Sequence, residues 1–155
     1  EHGPFQLTTY RDRLSHALHF ALLRGTPDKA APTLVRVHVQ NPLADALHWR
    51  RPDFGPAVGD VLAALAREER GALVVLADTA TPDALLARLR EPAHQDELTP
   101  GAGHALTEWR RTGAGAQILA DLGLGKLRVL GTPRKQIGLA GFGLEVVEYV
   151  DPHTL

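Results

Sequence analysis

Short apolar runs of strand length alternate with stretches of helical periodicity in the second half of the chain. This alternation is the feature that most narrows the folds open to it. Residues 72–77 (ALVVLA), 127–130 (LRVL) and 144–150 (LEVVEYV) are too short for buried helices and read as strands. Between them, 57–69 (AVGDVLAALAREE) carries its apolar residues at helical spacing, with Gly71 placed just past its end as a C-cap would be. Thr81 caps a further helix that opens on Pro82 and continues over 83–90. Helices are also expected over 104–111 and 114–122, and a helical turn over 133–137. Upstream, 5–9 and 18–23 read as an antiparallel pair closed near Arg24-Gly25, and 33–39 (TLVRVHV) as a β-branched strand. Residues 41–56 read as irregular, because Pro42, Pro52, Gly55 and Pro56 interrupt any period, and 91–103 reads as a loop. The expectation is one α/β domain over 1–155: a mixed sheet with packed helices and an N-terminal antiparallel hairpin.

Composition restricts the chemistry more than the fold. The chain has no cysteine, which excludes disulfides, thiolate zinc sites, iron–sulfur clusters and a cysteine nucleophile. A net charge of -1 gives no global pull toward nucleic acid or anionic membrane, so neither is expected as a partner. No apolar run reaches bilayer-spanning length, and a cytoplasmic location is the default expectation. The chain has no methionine, not even at position 1, and the expectation is that it starts inside a longer reading frame or that its start has been removed. The glycines at 113, 115 and 123 do not match a dinucleotide-binding pattern and read as helix boundaries and turns.

Four ordered blocks carry a resemblance: the opening from Gly3 to Gly25, LVRVH at 34–38, GAGAQILADLG at 113–123 with LRVLGTPRK after it, and GLAGFGLEVVE at 138–148. Together they resemble GTP cyclohydrolase II, the first enzyme of riboflavin biosynthesis. The resemblance implies that family's fold and a zinc-activated water that opens the imidazole ring of GTP. It also implies that three thiolates hold the zinc, at positions that here carry Asn41, Pro52 and Phe54. Proline and phenylalanine have no side-chain ligand atom. The guanine- and phosphate-reading stretch of the family corresponds to Ala77–Thr81, its assisting tyrosine to Pro92, and its acidic residue and arginine to Glu108 and Arg110. Arg36, His38, Asp45, Arg51, Asp53, Arg134 and Lys135 match the family pattern.

The resemblance therefore implies a degenerate member with no catalytic residue, no zinc and no other cofactor. Arg36, His38, Arg110 and Lys135 are the candidate remnant phosphate-binding residues, against the alternative that they are ordinary surface charges. A rebuilt metal site from His38, His48, Asp45 and Asp53 is the second alternative. Family habit further implies a homodimer and a 3,4-dihydroxy-2-butanone 4-phosphate synthase domain fused in front. Beside that domain, this one would have a structural or regulatory role. The rival function is a nucleotide or phosphate sensor, or an enzyme of altered chemistry, using the remnant pocket.

Overall fold

The computed structural model describes residues 2–51, 54–78, 81–90, 113–131, 133 and 138–151. Six strands form one mixed sheet: β1 (Gln6–Arg11), β2 (Leu18–Arg24), β3 (Thr33–Val39), β4 (Gly71–Leu76), β5 (Lys126–Leu130) and β6 (Glu145–Val150). Their spatial order is β1-β2-β4-β3-β5-β6. β2 is antiparallel to both of its neighbours, β1 and β4, whereas β3 runs parallel to both β4 and β5, and β6 runs parallel to β5. The helices are α1 (Pro42–Asp45), α2 (Val58–Arg67), α3 (Pro82–Arg90) and α4 (113–121). The mixed α/β architecture with its N-terminal hairpin is as the sequence predicts.

Strand alternation divides the buried side chains between two cores. On one face Leu34, Leu73 and Leu130 pack against Val61, Ala64 and Leu65 of α2. On the other, Ala21, Val35, Ala72, Val74 and Leu127 pack against Ala116, Ile118 and Leu119 of α4. α4 approaches β3 closely: a Cβ on Gly115 would lie 3.0 Å from Val37 Cγ1. Full burial of one leucine such as Leu73 contributes about 1.5–3 kcal/mol.

Several local expectations are corrected. The turn joining β1 to β2 lies at 12–17, not at Arg24-Gly25. The Asp12 carboxylate accepts from the Leu14 and Ser15 amides, both at 2.7 Å, and the Asp12 amide donates to the Ala17 carbonyl at 2.9 Å. Gly25, with φ of +73, instead ends β2. Gly71 is not a C-cap but the first residue of β4, since α2 ends on an extended Glu68. Its missing side chain matters for packing, because a Cβ there would lie 2.7 Å from Leu65 Cδ2. The segment 41–56 is not wholly irregular. Asn41 accepts from the Leu43 amide at 3.1 Å and Pro42 takes the first helical position, so α1 forms. Ahead of β6 a 3-10 helix forms at Leu139–Phe142, flanked by left-handed Gly138 and Gly143. The helix expected at 104–111 and the loop at 91–103 lie outside the described residues, as does most of the turn at 133–137.

Two tethers fix α2 to the sheet at its C-terminal end. Arg24 Nε donates to the Glu68 carbonyl at 3.0 Å. Arg128 of β5 donates to Glu68 Oε2 at 2.9 Å and to Glu148 Oε2 of β6 at 2.7 Å. Among the described residues, no helix is long and apolar enough to cross a membrane.

Candidate functional site

In an open α/β sheet, ligands bind at the carboxyl ends of parallel strands. Here those ends belong to β3, β4 and β5, and β3 delivers the candidate residues. Arg36 and His38 are two apart on β3 and so share one face, the face covered by α2.

Both side chains are engaged. Arg36 Nη1 donates to the Leu130 carbonyl at the end of β5, at 3.0 Å. Its guanidinium lies between two glycines with positive φ. A Cβ on Gly55 would lie 2.6 Å from Nη2, and one on Gly131 would lie 2.7 Å from Nη1. Only a residue without a side chain fits at either place. His38 is 5% exposed and its Nε2 lies 2.9 and 3.0 Å from the two carboxylate oxygens of Asp45. Asp45 Oδ2 also accepts from the Asn41 amide at 2.8 Å. One carboxylate thus ties the end of β3 to the start of the following loop.

The thiolate positions implied by the resemblance have other work. Asn41 is the N-cap of α1. Phe54 meets Trp49 edge-on, with ring centroids 6.0 Å apart and planes at 84°. The Arg51 guanidinium lies over both rings, 5.6 Å from the Trp49 centroid and 5.2 Å from that of Phe54. Pro52 lies outside the described residues. With no cysteine in the chain, a three-thiolate zinc does not fit these residues. For the rebuilt-site alternative, His38 and Asp45 come together while Asp53 lies outside the described residues. Among those described, no three such groups are placed to hold a metal.

The structure brings Arg36 and His38 to one place; Arg110, Arg134 and Lys135 lie outside the described residues. The stretch that the resemblance aligns with the family's base-reading residues begins at Ala77, whose amide donates to His19 Nδ1 of β2 at 3.0 Å. Sequence reading missed that α1 forms and that Trp49, Arg51 and Phe54 form a cluster. The Asn-Pro pair was a legible capping signal for the first. The second depends on how the loop folds back, and spacing alone carries no sign of it.

The GTP cyclohydrolase II family model matches residues 1–151. A 3,4-dihydroxy-2-butanone 4-phosphate synthase from Pseudomonas syringae is 43% identical over 155 residues, covering 96% of this chain and 40% of that protein. The riboflavin biosynthesis protein RibBA of Bacillus cytotoxicus is 39% identical over 156 residues, covering 97% of this chain and 39% of that one. Among solved structures, RibBX, a two-domain 3,4-dihydroxy-2-butanone 4-phosphate synthase from A. baumannii, superposes with a TM-score of 0.61 at 32% identity. That match covers 96% of this chain and 36% of the other. The chain spans about two fifths of the length of the curated relatives it matches.

Proposed function

The chain belongs to the GTP cyclohydrolase II family of riboflavin biosynthesis, and from that premise we propose that it is a degenerate, non-catalytic member. In this reading it scaffolds or regulates a 3,4-dihydroxy-2-butanone 4-phosphate synthase domain joined to it in a longer cytoplasmic protein, and pairs as a homodimer. One observation carries the reading. At two of the three positions where the family's chemistry needs thiolates, the loop after β3 is held by protein contacts instead, the Asn41 cap and the Phe54 ring against Trp49 and Arg51, and the chain has no cysteine to supply a thiolate. Losing the group that supplies the attacking water removes the nucleophile itself, a loss of many orders of magnitude in rate.

Two measurements test this. The protein purified without chelator is expected to contain less than stoichiometric zinc and to release no formate from GTP. Saturable, zinc-dependent formate release would overturn the proposal. In the full-length protein, deletion of this domain is expected to alter synthase turnover of ribulose 5-phosphate or its oligomeric state. A synthase unchanged in both respects would remove the scaffolding and regulatory role.

A phosphate-binding sensor is the second reading, favoured by His38 near the carboxyl end of β3 and by Arg36, whose guanidinium reaches the Leu130 carbonyl at the end of β5. Its site would be Arg36, His38, Arg110 and Lys135. Binding through phosphate alone would be weak and salt-screened, so GTP and pyrophosphate would bind alike. Tight, guanine-selective binding would overturn that expectation and point to a nucleotide sensor, and no anion binding at low salt would leave the scaffold.

A further inference from the structure

We infer that the opposite face of the sheet carries a binding site for a small neutral polyol, in the cavity between the β1–β2 hairpin and α4. This inference goes beyond the scaffold reading and does not depend on it, since it uses none of the loop residues 41–54.

The cavity measures about 500 Å³, within the range of small-molecule sites. Tyr10 and His19 face each other across the β1–β2 pair, and Gln117, Ile118 and Asp121 close the cavity from α4. His19 is 8% exposed and its ring lines the cavity. Its Nδ1 accepts the Ala77 amide at 3.0 Å, which places the proton of the neutral ring on Nε2. The Nε2–H is then a donor, and the cavity that His19 lines is where a ligand oxygen would accept from it. The Tyr10 hydroxyl donates to Asp121 Oδ2 at 2.9 Å, leaving Asp121 Oδ1 as an acceptor. Asp12 uses Oδ1 to hold the hairpin turn, and its carboxylate is part of the cavity lining. The Ser15 and Leu14 amides hold the Asp12 carboxyl below the usual carboxylate range, so it is charged at neutral pH.

The chemistry of the occupant follows from this set. Two carboxylates against one arginine, Arg11, make the lining unfavourable to phosphate. Among the described residues no three ligating groups converge, so a metal ion does not fit. Hydroxyl groups do fit, because each both donates to a carboxylate and accepts from His19 Nε2–H. The Tyr10 ring and Ile118 supply apolar surface for the carbon skeleton.

The experiment is an amide NMR titration of the whole 155-residue chain with D-ribose, and with ribose 5-phosphate as its anionic counterpart. Saturable shifts are expected at residues 10–12, 19 and 114–121, with ribose 5-phosphate binding about fivefold more weakly. Asp121→Asn is expected to weaken ribose binding about tenfold through loss of a charged acceptor. Gln117→Ala, on an exposed helical position that leaves folding intact, is expected to weaken it by a smaller factor. The inference is overturned if those amides show no saturable shift, or if shifts appear only in the 41–54 loop. It is equally overturned if ribose 5-phosphate binds as tightly as ribose, or if both variants bind like the parent protein.

Discussion

Asp45→Ala isolates what holds the loop after β3. The carboxylate serves the His38 Nε2–H at 2.9 and 3.0 Å and the Asn41 amide at 2.8 Å. His38 is 5% exposed, so after truncation its N–H faces little water. A buried donor left without a partner costs about 1–3 kcal/mol. The Asn41 amide is half-buried and regains water more easily, so its loss adds at the low end of a hydrogen bond, about 0.5 kcal/mol. The expected destabilisation is about 1.5–3.5 kcal/mol, read by urea unfolding followed by circular dichroism. In a domain of this size that lowers Tm by about 3–14 °C. Asp45→Asn keeps an acceptor for one donor but loses the charge, and is expected to cost about half as much. A double-mutant cycle with His38→Ala is expected to return a coupling of about 1 kcal/mol or more. A cost for Asp45→Ala below about 0.5 kcal/mol, with no coupling to His38, would place the pair among inert surface contacts and refute the reasoning.

Tyr10 titrates abnormally: burial first, then its hydrogen bond to Asp121 and that group's charge, push its phenol up to about 12 from the ordinary value of 10.0. The unfolded chain therefore loses this proton first, so the contribution of Tyr10 to stability is complete below pH 10 and declines between pH 10 and 12. Tyr10→Phe is expected to flatten that decline in urea midpoints measured across the window, and an unchanged slope would count against it. Gly25→Ala is expected to cost more than about 2 kcal/mol, since φ of +73 is strained for alanine and the new Cβ would collide with the Glu69 carbonyl. Gly59→Ala is its control. A Cβ there meets nothing within 4 Å and the site is inside α2, so it is expected to stabilise by about 0.5–1 kcal/mol. The two shifts in urea midpoint must have opposite signs.

By itself the sequence determined the elements whose signal is local. The β-branched run at Thr33–Val39 and the apolar run at Gly71–Leu76 became strands, and the period over Val58–Arg67 became a helix that buries Val61, Ala64 and Leu65. A repeat of two or 3.6 residues is a property of neighbours in the chain, and whichever face it makes apolar must be covered. The absence of cysteine was equally legible, because composition needs no coordinates to be read. Only the tertiary structure decided which strands are neighbours. β4 inserts between β2 and β3, although three strands precede it in the chain. Only there does Arg36 meet Gly55 and Gly131, and Tyr10 meet Asp121 across 111 residues. His19 shows the difference at one residue. Alternation sets the face of the sheet it occupies, but its buried ring and its bond to the Ala77 amide exist only because β4 lies beside β2. Such contacts depend on how distant segments pack against one another, and no period within a short stretch of chain encodes that.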